Sequence, residues 1–465
     1  MATSRSVDYV VPDLMSKAPI PGARRVRRSP AAAFGPVATA LGALALLLAA
    51  GCRGPTWAAG ADLIVPPRRV AKALGDPVVP PLDTFDPSSV PDMDPPTHTR
   101  PCCSFGMDLR VQYEGVLVPG YVKANLVSAT QLGRHEYDHG MVSMRPDGNL
   151  SDVEQNGLLY TCRAGFVDIA HIRDYADLTF YIALRIARAL PQGATLELAG
   201  DGALRRVTIA PISEQVVAEH GRFVVAAALA EQAAYQLSLW HEIGSFYGVE
   251  AVPGFSERVS AFSPEDLYSN VLGIKIGAAL VDGQIPPSRD AYNSMVDSWI
   301  QAVLEHLVAT PLGFSRDVMR SLDGVWWDSK KILPDTLLVT RRYMDIVPPI
   351  EPWRIEDVFP PDGRPAALGV ICGETSRPLP LPVSDALGSL RMADVLSIEI
   401  HPGPWALSAG TTPESPFPFP FPDPTRKSFS SRDFPAILKD VHARMEAQLG
   451  PGVDRPAATK RAVAP

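Results

Sequence analysis

Asp168, His171 and Tyr175 stand three and four residues apart within the stretch 160–177, so on a helix they share one face. Asp174 lies beside that face, one turn beyond His171. An acid and an imidazole one turn apart suit two jobs: holding a divalent metal, or acting as base and orienting partner. For a single helix the plainer account is a polar stripe, with Asp168 and Asp174 paired to Arg163 and Arg173. A second stripe shifts the balance. Glu231, Tyr235, Ser238, His241, Glu242 and Ser245 recur at helical spacing in a segment otherwise rich in Ala and Leu. Ionisable groups on an apolar helix are costly to bury unless paired or bound to metal. Two such helices facing one another can build a site between them. The expected site has His171, Asp168 and His241 as ligands of a divalent metal, zinc by ligand type, with Glu242 and Asp174 as catalytic carboxylates. A buried structural network would use the same residues, and His241 near a helix end could serve only the helix dipole.

Two further strings invite chemistry. His135-Glu136-Tyr137-Asp138-His139 spells H-E-x-x-H, which needs both histidines on one face of a stable helix. Gly133 and Gly140 bracket it and no apolar helix surrounds it, so it reads as a coincidence. Cys162 precedes a helix, where the dipole favours a thiolate, and His171 or His135 could be its base. Against that nucleophile stands a disulfide. The chain has no G-x-S-x-G elbow, P-loop or G-x-G-x-x-G, so serine hydrolysis and nucleotide binding have no support.

The N-terminal region reads as an address. Arg24, Arg25, Arg27 and Arg28 precede an apolar run from about Val37 to Ala50, and small residues lead directly into Cys52. The run is short of the roughly 20 residues of a membrane span. Leu46-Leu47-Leu48-Ala49-Ala50-Gly51-Cys52 resembles a bacterial lipoprotein signal, which implies that Cys52 becomes the lipidated first residue. Arg53 follows it, with no aspartate to retain the protein at the inner membrane, so the expected place is the periplasmic face of the outer membrane. The membrane contact is then the N-terminal lipid. In an oxidising compartment Cys102, Cys103, Cys162 and Cys372 are disulfide candidates, and one of the adjacent pair is expected to reach Cys162 or Cys372. The net charge of −8 argues against a nucleic-acid partner, which needs clustered Lys and Arg.

The elements that must position these groups follow from periodicity and punctuation. Residues 53–101 are proline-rich and read as an extended tether, with the folded core expected over 102–330. Within it, 109–113 and 116–118 alternate as strands, and 165–190 turns helical before Pro191. Residues 195–198 and 206–209 flank Asp201-Gly202 as a β-hairpin, and a long helix spans 222–245. Ser263-Pro264-Glu265-Asp266 opens another helix, with Ser as N-cap, Pro at the first position and acids in the first turn; Gly283 ends it. Helices are also expected at 290–309 and 315–322. A strand- and proline-rich part covers 331–449, with strands at 336–340 and 395–400, a loop at 416–422 and a helix at 434–449; 450–465 reads as a disordered tail. The fold class is α+β: a mainly helical centre, small antiparallel β elements and an irregular C-terminal part.

Four segments carry a family likeness: Arg100–Gly106, Asn156–Arg163, Trp240–Gly244 and Phe262–Asn270. Over roughly 100–350 they resemble an uncharacterised family of exported bacterial proteins and lipoproteins, labelled as a domain of unknown function. The resemblance implies bacterial export and one domain, and carries no catalytic residues with it. The expected activity is a metal-dependent hydrolase acting on an envelope substrate. The alternatives are a non-enzymatic structural or partner-binding lipoprotein, and a Cys162-dependent transferase or hydrolase.

Overall fold

A computed structural model describes residues 65–75, 91–100, 103–113, 116–123, 126–139, 154–249, 257–281, 285–373, 376–403, 426 and 428–456; Cys52, Cys102, Gly283 and the 416–422 run lie outside these. Pro67–Gly75 forms helix α1, with Val70 and Leu74 buried. Part of the expected tether therefore packs on the core, because two apolar residues one turn apart find cover there. Strands β1 (Leu109–Tyr113) and β2 (Val116–Lys123) pair antiparallel. A second hairpin joins β3 (Leu158–Thr161) to β4 (Gly165–Asp168), and helix α2 (Ile169–Ala189) follows at once. The helix expected from 165 thus starts four residues later. Gly165 has φ +69, and a Cβ there would lie 1.9 Å from the Trp353 carbonyl, so the chain turns into β4 where only glycine fits.

After α2 comes the expected hairpin, β5 (Ala194–Gly200) and β6 (Ala203–Ile209), turning at Asp201-Gly202. A short helix α3 (Glu214–His220) leads into α4 (Arg222–Tyr247). Helix α5 (Asp266–Val281) is buried along its whole length, and α2 and α4 nearly so. A helix that is apolar all round has to be interior. These three pack on one another at the centre of the molecule. Gly273 and Gly277 allow the closest contact: a Cβ on either would come within 2.3 Å of the Ile172 carbonyl or 2.6 Å of the Ala176 carbonyl on α2. Helices α6 (Arg289–His306) and α7 (Leu312–Ser321) are amphipathic.

The C-terminal part does not stand apart. Strand β7 (Leu396–Pro402) pairs antiparallel with β6 in register Val207↔Ile398, and β8 (Phe429–Ser430) adds the edge, giving the order β8–β7–β6–β5. Helix α8 (Phe434–Leu449) packs against α4, with the Tyr247 hydroxyl donating to Asp440 at 3.0 Å. The stretch 336–340 makes turns and bridges rather than a strand. Residues 450–456, read as the start of a tail, pack down: Val453 is buried and its carbonyl accepts from the Arg342 amide at 2.8 Å. The described residues belong to one compact unit.

One disulfide staples it. Cys162, at the end of the β3 edge, is bonded to Cys372 across 210 residues of sequence. This corrects the expected pairing of Cys102 or Cys103 with either. It also corrects the nucleophile reading of Cys162, because a sulfur committed to a disulfide has no thiolate to attack with.

Candidate metal centre

Asp168 is the last residue of β4 and the N-cap of α2. Its carboxylate accepts from the Ala170 amide at 2.7 Å and from the Cys103 amide at 3.2 Å. One turn on, the fully buried His171 points across to His241 of α4. The rings meet edge to face, 5.5 Å between centroids. Glu242, beside His241, completes a group in which one ligand atom from each of His171, His241 and Glu242 lies within 4.8 Å of the others. A second group at the same limit joins Asp168, His171 and Asp266. Such spacing suits ligands each about 2 Å from a shared ion. These buried groups can hold a metal ion.

Each histidine is oriented from behind. His241 sets Nδ1 3.2 Å from the Asp201 carboxylate, presented by the β5–β6 turn. His171 sets Nδ1 3.5 Å from Asp266 Oδ1. A carboxylate behind a ligating imidazole fixes its tautomer and leaves the opposite nitrogen for metal. Asp201 is itself held by an ion pair with Arg205 and by the Thr99 hydroxyl at 3.1 Å. Its φ of +46 is a left-handed conformation that Asp tolerates better than most residues.

The electrostatics separate the two rings. Burial, and then the neighbouring His241, push His171 down to about 3, so it is neutral. Burial opposes charge on His241 too, but the Asp201 carboxylate outweighs it and raises the imidazole to about 10. Asp201 is held below the usual carboxylate range by Arg205 and His241, against the cost of burial. Around them four carboxylates are buried: Asp168, Glu242, Glu265 and Asp266. Burial, together with the nearby acids, pushes Glu265 and Asp266 well above the ordinary range. Glu242 is raised by burial and drawn down by His241; its oxygens accept from the Phe262 amide at 2.7 Å and from Asn270 at 3.1 Å.

A small cavity of about 30 Å³ opens on the two imidazoles and is lined also by Asp174, Tyr175, Asp201 and Arg205. The strap Pro96–Thr99 forms another wall. The strap is held by Asp138, which accepts from the amides of Thr97 and His98 at 2.7 and 2.8 Å. The space is water-sized.

Asp174 lies apart from the histidine–carboxylate groups although it lines the cavity. Arg100 reaches it twice, through its amide at 3.0 Å and its guanidinium at 2.7 Å. Burial nonetheless pushes its carboxyl up to about 8. The same Arg100 pairs with Glu154 at 2.6 Å, and His135 bridges Glu154 and Asp177 at 3.2 and 2.9 Å. The H-E-x-x-H string is thus a turn whose first histidine belongs to an ion-pair network, with no helix to align His139 beside it. Arg173 goes to Asn156 at 2.7 Å and the Leu132 carbonyl at 2.9 Å, and Arg163 to His306 at 2.9 Å. Neither arginine satisfies Asp168 or Asp174 in the way the polar-stripe account requires. Glu231 leaves the site altogether, paired with Lys275 at 2.6 Å.

Sequence reading missed Asp201, Glu265 and Asp266. Asp201 looked like a turn residue and the acids at 265–266 like dipole partners of a helix start. In the structure the cap runs the other way, the Ser263 amide donating to the Asp266 carboxylate at 2.7 Å. The available signal was a pair of acids heading a segment apolar on every face.

Fold and site together define an α+β protein with a buried histidine–carboxylate centre between three packed helices. Residues 90–355 match the family described as Protein of unknown function (DUF4056), more than half of the sequence, and the chain belongs to that family. No curated protein and no solved structure matches it.

Proposed function

We propose that the protein is a metal-dependent hydrolase, lipid-anchored at the bacterial cell envelope through Cys52. The observation that supports the activity most is the meeting of His171, His241 and Glu242 within 4.8 Å beside a water-sized cavity. Three protein ligands and an open position are the usual plan of a catalytic site for a metal such as zinc. A bound divalent ion would supply a water made acidic enough to attack at neutral pH. The chain's own part is to hold the imidazoles from behind with Asp201 and Asp266 and to keep the surroundings dry. Asp174, on the cavity wall and raised to about 8, is placed to take or give a proton. The cavity is water-sized, and the Pro96–Thr99 strap stands between it and the surface elements around Asp138.

The envelope address rests on the signal-like stretch before Cys52, and the Cys162–Cys372 bond is in keeping with an oxidising compartment. No helix among the described residues is long and apolar enough to cross a membrane. Peptidoglycan, lipid and envelope protein are the substrates this compartment offers.

Elemental analysis of the purified protein, beside His171→Gln and His241→Gln, tests the reading. Wild type should retain at least one divalent ion per chain after equilibration with zinc or manganese, and each variant should bind at least ~10-fold more weakly. Hydrolysis of an envelope substrate should vanish on chelation and return with the ion. A wild-type protein that takes up no divalent ion would sink the proposal and leave the polar helices as a structural network.

A further inference from the structure

Tyr175 shares the α2 face of His171 and has no part in either histidine–carboxylate group. It stands one turn beyond His171, is 5% exposed, and lines the same cavity as the two imidazoles. Asp201, Glu242, Arg205 and Asp174 all lie within electrostatic reach of its hydroxyl. The hydroxyls on the cavity wall belong to Thr97, Thr99 and Tyr175. Thr97 donates to Asp138 at 3.3 Å and Thr99 to Asp201 at 3.1 Å. The Tyr175 hydroxyl makes no hydrogen bond with another described residue. Buried tyrosines normally find a partner. Tyr160, Tyr268 and Tyr292 do so here, donating to Glu356 at 3.3 Å, the Leu379 carbonyl at 2.6 Å and Asp177 at 2.7 Å. An idle phenol beside two imidazoles is a donor kept for something that enters.

The other side chains of the wall say what enters. Arg205 gives one nitrogen to Asp201 and another to the Ala199 carbonyl at 3.1 Å, and its Nε is enclosed by protein. His98 faces Asp138 at 3.2 Å, and His241 faces Asp201. Each of these basic groups already has a carboxylate. A phosphate ester brings its charge with it and calls for fixed cations. A neutral phenol instead suits an oxygen that is uncharged in the substrate and gains charge only during reaction.

We propose that Tyr175 is a catalytic residue, its hydroxyl donating to the oxyanion formed when water attacks a neutral acyl substrate, an amide or an ester. This deepens the metal reading above and rests on it. The water oxygen bonds to the acyl carbon, one of its protons passes to the Asp174 carboxylate, and the carbonyl π pair moves onto the carbonyl oxygen. Tyr175 keeps its proton throughout, and its hydrogen bond strengthens as that oxygen becomes charged. The pair then returns, the bond to the leaving nitrogen or oxygen breaks, and the leaving group takes the proton from Asp174.

The full chain loaded with zinc gives the test, with acetohydroxamate as mimic of the acyl oxyanion and inorganic phosphate as the competing chemistry. Tyr175→Phe keeps the ring and breaks no hydrogen bond to another described residue, so it should fold and bind zinc as wild type does. Calorimetry should show acetohydroxamate binding at least ~10-fold more weakly to the variant, the loss of one hydrogen bond to a charged oxygen. Equal affinities, or weaker zinc binding by the variant, overturn the assignment of Tyr175. Wild type that holds zinc but prefers phosphate to acetohydroxamate overturns the acyl substrate and leaves the metal reading standing. Wild type that binds no zinc or manganese overturns both.

Discussion

His171 and His241 are chemically identical and sit ring against ring, yet their surroundings push them in opposite directions, to about 3 and about 10. Each shift carries a sign for stability. His241 is raised above its unfolded value of 6.5, so its contribution is complete below that pH and is lost as pH rises through about 10. His171 is depressed below 6.5, so its contribution is complete above that pH and is lost as pH falls toward about 3. The two rings by themselves should therefore take stability away on either side of about pH 6.5, by at most ~1.4 kcal/mol per pH unit each, a contribution read as the difference between wild type and the ring variants. In urea titrations over this range, His241→Gln should flatten the alkaline limb and His171→Gln the acid limb. Parallel profiles for wild type and His171→Gln between pH 6.5 and 4 would show that this ring is not a buried neutral imidazole.

At the level of elements, the centre depends on how closely α5 approaches α2. Asp266 opens α5 and His171 lies in the first turn of α2, so the distance between the helices sets the distance between the donors. Gly273 and Gly277 set that distance by lacking a Cβ, as their separations of 2.3 and 2.6 Å from α2 carbonyls show. Backbone cannot step aside as a side chain can. Gly273→Ala should cost about 1–3 kcal/mol, the range for overpacking, and should weaken metal binding by spreading Asp266 from His171. Gly313 in α7 has nothing within 4 Å of a built Cβ, so Gly313→Ala should be neutral or stabilising by up to ~1 kcal/mol. Equal unfolding free energies for the two variants would mean that the helix contact is slack.

For the whole molecule the open matter is where it is held. The Cys162–Cys372 bond closes a 210-residue loop and ties the β3 edge to the C-terminal part. Native disulfides of this kind contribute roughly 2–4 kcal/mol. Anchoring depends on Cys52, outside the described residues. Cys52→Ser removes the only atom that could take a lipid there, so the variant should leave the membrane fraction and stop labelling with fatty acid. A variant that still labels and still sediments with membranes would end the lipoprotein reading.

Local signals in the sequence were enough for the long central helices and the β5–β6 hairpin, but not for the β3–β4 hairpin, whose second strand reads as helix, or for the short helices 67–75 and 214–220. The long Ala- and Leu-rich run over 222–245, the Asp201-Gly202 turn between alternating runs, and the proline and glycine punctuation each specify an element from its own residues. The pairing of a histidine with an acid on α2 and again on α4 was legible for the same reason, since helical spacing puts them on known faces. Only tertiary structure decided what met what. Asp266, Glu265 and Asp201 lie on a helix start and a turn, where an acid already has a local reason to be present, so nothing in the sequence marks them as partners of His171 and His241. The pairing of Asp174 with Arg100, of Cys162 with Cys372 and of β6 with β7 spans 74, 210 and roughly 190 residues. Contacts over such separations are fixed by how the elements pack, and no local pattern of residue types encodes them.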